Sequence, residues 1–218
     1  MPEIINEIEA RILGSLVEKQ LTTPEYYPLT MNALVNACNQ KNNREPVMSL
    51  DETTVSAAIE RLRDRNLIYV FYGSTSRVPK YKHMLPSVYE LEPAEVAVVA
   101  VMLLRGPQTL GELRTRTERM HEFSGLGEIQ ETLDGLARRE DPVVIKLPVL
   151  AGQKEARFGH LLSGEIDVEA LAIAHPTRAA QAESANERFS KLEAEVGELR
   201  GEIESLKATF DEFKRQFE

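Results

Sequence analysis

The sequence predicts a mainly α-helical α+β protein in which two tandem winged-helix domains with small β wings precede a C-terminal coiled-coil helix. A helix followed by two short apolar runs around a polar turn occurs within residues 49–84 and again within residues 124–162. An internal repeat of this kind indicates a repeated fold, and a helix feeding a hairpin after two shorter helices is the order of a winged helix-turn-helix. A heptad pattern near the C-terminus predicts the coiled coil. The predicted boundaries are 1–85 and 86–164 for the two domains, 165–185 for a connector and 186–218 for the coiled coil.

In the first domain the sequence predicts three helices before the hairpin. The first helix runs from about residue 4 to residue 19, and Pro24 follows it, because a proline disfavours helix in the residue before it. The second helix spans about residues 30–39. Ser49 and Glu52 form a capping box that opens the third helix. This helix ends near residue 66, and the hairpin strands are predicted within residues 67–72 and 80–84.

The helix that precedes each hairpin shows the same apolar spacing in both copies. Apolar or small side chains recur at i, i+3, i+4 and i+7, which places them on one face of a helix. These positions are Val55, Ala58, Ile59 and Leu62 in the first copy and Ile129, Thr132, Leu133 and Leu136 in the second.

The second domain is predicted to begin with a helix over residues 93–105, with a proline in its first turn and Gly106 as its C-cap. Thr109 and Glu112 form a capping box for a second helix that runs to about residue 120. The third helix follows Gly125, and the hairpin strands are predicted within residues 143–147 and 156–162. Residues 86–91 are too few for a free linker, so we expect the two domains to pack together.

The C-terminal segment carries an a/d seam that predicts a parallel homodimeric coiled coil. The three charged pairs between g and e′ positions are Arg188 with Glu193, Glu195 with Arg200, and Glu202 with Lys207, and all are opposite in sign. The alternative is one amphipathic helix docked on its own domains. The predicted dimerisation residues are Phe189, Leu192, Val196, Leu199, Ile203, Leu206, Phe210, Phe213 and Phe217.

Composition favours a cytoplasmic protein whose acidity is unevenly spread. The single Cys38 excludes an intramolecular disulfide, no signal peptide is visible, and the longest apolar run has nine residues, too few to cross a bilayer. The formal net charge of −9 is distributed as 0 over residues 1–84, −3 over residues 85–164 and −6 over residues 165–218. Local charge, rather than the total, decides where a phosphate can bind.

The sequence offers no set of residues typical of catalysis. It has no Gly-rich phosphate loop followed by Lys-Ser or Lys-Thr, and its four histidines stand far apart, without a cysteine or carboxylate at metal-ligand spacing. Cys38 has no neighbouring histidine and is interpreted as a small buried residue. We therefore expect a protein that is not an enzyme and that uses no cofactor and no metal.

A basic stretch in the first domain predicts contact with DNA. Six basic side chains against only Asp64 give a local balance of +5, and winged helices commonly place the third helix in the major groove and the wing along the backbone. The alternative is a solvated helix end and a charged hairpin, and Asp51 and Glu52 at the start of the helix would repel phosphate. Arg65 is the sixth basic side chain of the stretch. The expected phosphate contacts are Arg61, Arg63, Arg77, Lys80 and Lys82, and the expected base contacts are Thr53, Thr54 and Ala57.

An amide-rich run forms a second candidate site. Asparagine and glutamine side chains can read adenine edges or line a polar pocket. Asparagines in loops more often satisfy nearby backbone groups, and we favour this structural interpretation. The candidate residues are Asn39, Gln40, Lys41, Asn43 and Arg44.

Several long strings of residues carry a family resemblance that covers nearly the whole chain. These strings are Glu18-Lys19-Gln20, Thr22-Thr23-Pro24-Glu25, Tyr27-Pro28-Leu29, Ala37-Cys38-Asn39-Gln40-Lys41, Asn43-Arg44-Glu45-Pro46-Val47-Met48, Gly111-Glu112-Leu113-Arg114 and Arg119-Met120. They resemble the YceH family of bacterial proteins. The resemblance implies two winged-helix domains and a bacterial cytosolic origin, and it brings no established activity.

Together these patterns favour a homodimeric DNA-binding protein, a regulator that acts through the first winged helix and has no membrane association. The rival interpretation is a protein-interaction module, which the acidic second domain and tail would suit. A basic face shared across the dimer would favour double-stranded DNA, whereas an exposed apolar patch on the second domain would favour another protein as partner.

Overall fold

The computed structural model of the chain describes residues 4–72, 78–150, 153–168 and Gly201. Within these residues there are seven α-helices and two small antiparallel sheets, which confirms the predicted α+β class. Met1–Val149 and Lys154–Val168 form one compact unit, to which all the elements below belong. Leu150–Gln153 and Glu169–Glu218 form a second unit, and the connector and the dimerisation residues from Phe189 to Phe217 lie outside the described residues.

The first half of the compact unit contains the predicted three helices and hairpin. A two-residue strand and a short helix after the hairpin were not predicted. This strand, β1 (Leu29–Thr30), pairs antiparallel with β3 (Pro79–His83), and β3 also pairs antiparallel with β2 (Ile68–Tyr72). The sheet order is therefore β1-β3-β2. The elements are α1 Glu7–Thr22, a 3-10 turn Pro24–Tyr26, β1 Leu29–Thr30, α2 Met31–Cys38, α3 Glu52–Asp64, β2 Ile68–Tyr72, β3 Pro79–His83 and α4 Leu85–Tyr89.

Helix α1 begins three residues later than the sequence predicts. The backbone N–H of Ile5 donates to the carbonyl of Leu162 at 2.9 Å, and the backbone of Asn6 is extended, so both residues lie outside the helix. Asn6 then caps the helix, because its side chain accepts from the N–H of Glu9 at 2.9 Å and its own N–H donates to the Glu9 carboxylate at 3.0 Å. This reciprocal capping box fixes the start of α1.

Helix α3 begins at Glu52 with Asp51 as its N-cap, and the predicted N-cap Ser49 lies outside it. The side chain of Asn39 accepts from the N–H of Leu50 and donates to its carbonyl, both at 2.8 Å, so Leu50 is held outside the helix. The carboxylate of Asp51 instead accepts from the N–H of Thr54 at 2.7 Å. A contact between distant segments therefore overrides the local capping signal.

The second half of the compact unit follows its predicted pattern closely. The capping box of Thr109 and Glu112 and the C-cap Gly106 are both present, the latter with a φ of 70°. The two predicted strands pair antiparallel, with Ile145 opposite Gly159. The elements are α5 Pro93–Arg105, α6 Leu110–Thr117, α7 Leu126–Ala137, β4 Val144–Lys146 and β5 Phe158–His160.

The two halves pack together through α1 and α5, as the short connection between them predicts. The α5 side chains from Val96 to Leu104 are all buried, which makes α5 a central helix of the core. Gly14 of α1 allows the close approach, because a Cβ atom at this position would lie 2.8 Å from Cγ of Leu104 and 3.0 Å from Cβ of Leu103. The missing side chain thus sets the spacing between the two helices.

Candidate functional site

The structure places the predicted base-reading residues at the start of α3. Thr53 and Ala57 are exposed, whereas Thr54 is partly buried. Hydrogen bonds from Thr54 lower the pKa of the Asp51 carboxyl, so this cap carries a negative charge at neutral pH beside them. Asp51 thus places a negative charge beside the exposed Thr53 and Ala57, and none of these residues carries a positive charge.

Three arginines of the basic stretch are paired with carboxylates, and two of them, Arg61 and Arg63, are predicted phosphate contacts. Arg61 Nε and Arg65 Nη2 bind the two oxygens of the Glu9 carboxylate at 2.7 and 2.6 Å. Arg63 Nη1 lies 2.7 Å from Glu60 on the same helix. Burial alone would raise the pKa of Glu9, but the hydrogen bonds from both arginines and from Asn6 hold it below its ordinary value. Arg61 and Arg65 therefore fasten α3 to α1, and the single Glu9 carboxylate offsets one of their two positive charges.

The β2–β3 hairpin carries the remaining predicted cations. Tyr69 lies opposite Lys82 and Phe71 opposite Lys80, and cross-strand partners point to the same side of a sheet. The side chains of Tyr69 and Phe71 are 57% and 44% exposed, whereas Tyr81, whose side chain points to the opposite side, is 8% exposed. The β2–β3 face, defined by Tyr69, Phe71, Lys80 and Lys82, thus combines aromatic rings with lysines that have no acidic partner among the described residues. Arg77 lies outside the described residues.

The amide-rich run has two members that support backbone groups. Asn39 holds Leu50 as described above, in line with the structural interpretation. Arg44 is buried and donates to the carboxylate of Glu18 at 2.7 and 3.1 Å and to the carbonyl of Ala37 at 2.9 and 3.1 Å. Burial would raise the pKa of Glu18, but the hydrogen bonds and charge of Arg44 lower it below its ordinary value. This ion pair anchors the loop that follows α2.

The other members of the run border a cleft that the sequence did not predict as a whole. Gln40, Lys41 and Asn43 line one side of a space of about 360 Å³, opposite the end of α6. Arg116 and Arg119 contribute from that helix and the turn after it. The sequence analysis named Arg119 only within the Arg119-Met120 string and did not name Arg116, because more than 70 residues separate both arginines from the loop.

The described residues contain no group of three or more His, Cys, Asp or Glu side chains placed to hold a metal ion. Cys38 is buried, and burial raises the pKa of its thiol to about 11, so the reactive thiolate is disfavoured at neutral pH. No helix in the described part of the chain is long and apolar enough to span a membrane.

The described chain is therefore an α+β protein in which two helix–hairpin halves share one core and present a lysine–aromatic face and a polar, basic cleft. Residues 5–153 match the family model described as "Protein of unknown function, DUF480", and the chain belongs to this family. A UPF0502 protein of Pelobacter propionicus is 49% identical over 220 residues, and the match covers 100% of both chains. A UPF0502 protein of Geobacter sulfurreducens is 48% identical over the same length and coverage. One of Opitutus terrae is 55% identical over 166 residues, which are 76% of this chain and 72% of the relative.

Proposed function

We propose that this protein is a cytoplasmic, homodimeric DNA-binding regulator of the YceH type, built from winged-helix domains at residues 1–85 and 86–164. The observation that carries the proposal is the β2–β3 face, where Lys80 lies opposite Phe71 and Lys82 lies opposite Tyr69. Lysines without acidic partners are suited to phosphate contacts along a DNA backbone. The order of three helices followed by a hairpin supports the winged-helix assignment.

The proposal divides DNA contact between the hairpin and α3. The lysines of the hairpin contact phosphates, together with Arg77, while the exposed Thr53 and Ala57 face the base edges. Arg61 and Arg63 stay candidate phosphate contacts, although the carboxylates of Glu9 and Glu60 compete with phosphate for them. With few free cations and acidic groups at the start of α3, non-specific binding is expected to be weak.

Replacing Lys80 and Lys82 together with glutamine should weaken DNA binding at every sequence and flatten its salt dependence. Each lost phosphate contact removes about 0.9 from the slope of log affinity against log salt, so the slope should change by about 1.8. Fluorescence anisotropy with genomic fragments selected for affinity, between low and moderate salt, measures both quantities. Lys146→Gln, at an exposed lysine of the β4–β5 hairpin, is the matched control and should leave binding unchanged. An unchanged slope in the double variant would refute the assignment.

A protein partner is the second candidate, and a specific feature favours it. Tyr69, Phe71 and Tyr72 are exposed on one hairpin, with Tyr72 at 67% exposure, and exposed aromatic side chains are enriched at protein interfaces. Selection that recovers no genomic fragment bound better than random duplex would favour this alternative. Replacement of Tyr69 and Phe71 with serine should then abolish capture of the partner without changing the salt dependence of DNA contact.

Homodimerisation is proposed through the heptad seam from Phe189 to Phe217, which lies outside the described residues. Burial of each Leu, Ile or Phe side chain contributes roughly 1.5–3 kcal/mol, so the seam is sufficient to drive association. A chain that ends at Ala180 should be monomeric in light scattering at concentrations where the full chain is dimeric. Equal monomeric masses for both chains would refute the proposal and leave the seam as a helix that serves its own chain.

A further inference from the structure

We propose that the cleft between the end of α1, the loop of residues 40–43 and the end of α6 binds a small phosphate-bearing anion. The cleft has a volume of about 360 Å³, within the range of small-molecule sites. It lies away from α3 and the β2–β3 face, and the inference does not depend on DNA binding. Its side chains come from three segments that the fold brings together, which makes it a concave site and not a single exposed loop.

The charge of the cleft is positive. Lys19, Lys41, Arg116 and Arg119 line it, against the one lining carboxylate, Glu18. Arg44 already neutralises that carboxylate from the buried side, with Nη2 2.7 Å from Oε2. Arg105, beside the loop, is a further nearby cation. Its pKa is lowered by burial and by the positive charges of Arg116 and Arg44. Clefts lined by one sign of charge concentrate the field and attract counter-ions.

Two of the cations have no carboxylate to neutralise them. Lys41 and Arg119 are exposed, and neither has an ionic partner among the described residues. Lys19 and Arg116 make longer ion pairs than Arg44 does with Glu18. Lys19 lies 3.5 Å from Glu18, and Arg116 lies 3.4 Å from Glu112. All four side chains are thus available to an anion at little cost in existing contacts.

The hydrogen-bonding groups of the cleft are arranged to leave donors facing a ligand. Gln40 Oε1 accepts from Arg44 at 3.1 Å and from Lys19 at 3.4 Å. The side-chain oxygen of Asn43 accepts from Arg105. The side-chain oxygens of Gln40 and Asn43 are therefore occupied, whereas neither of their NH₂ groups has an acceptor among the described residues. Free donors on these two side chains favour a ligand that offers acceptor oxygens.

The end of α1 does not oppose this assignment. The C-terminus of a helix carries partial negative charge on its last carbonyl oxygens. Here the carbonyl of Glu18 accepts from the hydroxyl of Thr22 at 2.7 Å, and the carbonyl of Lys19 accepts from the N–H and the hydroxyl of Thr23. These carbonyls are therefore satisfied locally, and the side chain of Lys19 adds a positive charge at the same helix end.

Phosphate fits the cleft better than a carboxylate or a cation does. A phosphate group presents three strong acceptor oxygens and a charge between about −1.5 and −2 at neutral pH, which matches cations and amide donors arriving from different segments. A cation would require free carboxylates, and Glu18 is engaged with Arg44. The loop is also fixed before binding, because Arg44 donates to the carbonyls of Ala37 and Asn43.

The test uses the full chain and measures its thermal unfolding in increasing pyrophosphate, with sodium sulfate and sodium chloride at matched ionic strength. Pyrophosphate should raise Tm in a saturable manner, beyond the effect of either salt. Lys41→Gln with Arg119→Gln should require at least tenfold more pyrophosphate for the same shift. Arg114→Gln is the matched control, because Arg114 is exposed on α6, the helix that precedes Arg119. It lies outside the cleft and has no ionic partner among the described residues.

Parallel titrations with inorganic phosphate and with ATP distinguish a free phosphate ligand from a phosphate carried on a nucleotide. A shift no larger than that of sulfate, or an equal response in the double variant, overturns the proposal. Loss of DNA affinity in the double variant without loss of pyrophosphate binding also overturns it. If the double variant does not fold, Lys41→Glu provides the second test, and this charge reversal should weaken pyrophosphate binding more than Lys41→Gln does.

Discussion

Replacement of Arg44 with methionine is expected to lower the free energy of unfolding by about 3–5 kcal/mol, because it leaves the buried Glu18 carboxylate with only the weaker contact of Lys19 at 3.5 Å. The side chain of Arg44 is 0% exposed and that of Glu18 is 11% exposed. The variant also loses the hydrogen bonds to the carbonyls of Ala37 and Asn43, which fix the loop after α2. Urea unfolding of the full chain at pH 7 measures the change.

The pH dependence of the lost free energy of unfolding distinguishes loss of the Arg44–Glu18 ion pair from loss of side-chain packing. In the parent protein the pKa of Glu18 is lowered, so its stabilising contribution is present above the unfolded pKa and is lost as pH falls. In Arg44→Met the buried carboxyl is expected to have a raised pKa and to take up a proton readily. The difference between parent and variant should therefore shrink from pH 7 towards pH 4.

A double replacement, Glu18→Met with Arg44→Met, is the control for that interpretation. Removing both charges avoids the buried unpaired carboxylate, so the double variant should be more stable than Arg44→Met alone. Recovery should be partial, because the two backbone carbonyls still lose their donor. A double variant that is less stable than Arg44→Met would show that shape, not charge, dominates at this site.

Local patterns predicted the helices and hairpins well, since each element depends mainly on its own residues. The capping box of Thr109 and Glu112 lies within one turn, and it is present. The cap predicted at Ser49 failed because Asn39, ten residues away, holds Leu50 in an extended form. The strand Leu29–Thr30 was missed because two residues become a strand only by pairing with β3.

The candidate sites were harder to predict, because a charge balance taken over a stretch of sequence omits carboxylates that the fold brings close to the basic side chains. Glu9 is 52 residues from Arg61 in sequence, yet its carboxylate lies 2.7 Å from that guanidinium. The cleft could be predicted only on the side of residues 40–43, since its opposite wall, with Arg116 and Arg119, depends on the packing of α6 against the rest of the fold. Residues that are close in sequence can be predicted to form a loop, whereas prediction of the whole cleft requires the tertiary contacts.

Replacement of Gly14 with alanine is expected to destabilise the protein by roughly 1–3 kcal/mol, the usual cost of overpacking a tight core. The added Cβ would lie 2.8 Å from Cγ of Leu104 and 3.0 Å from Cβ of Leu103, and the second atom is too close to the α5 backbone to move freely. Alanine in a helix normally gains about 0.5–1 kcal/mol over glycine, so the clash must exceed that gain. Gly14→Val should cost more than Gly14→Ala.

Gly135→Ala is the matched control, because Gly135 also lies within a helix, is exposed, and has no atom within 4 Å of the added Cβ. This variant should be stabilised by about 0.5–1 kcal/mol, the gain in helix propensity without a clash. Opposite signs at the two glycines, measured by urea unfolding, would show that the contact between α1 and α5 couples the two halves. A stabilising effect at both positions would contradict that contact. Because Gly14 joins both halves, Gly14→Ala should shift one cooperative transition rather than split it into two.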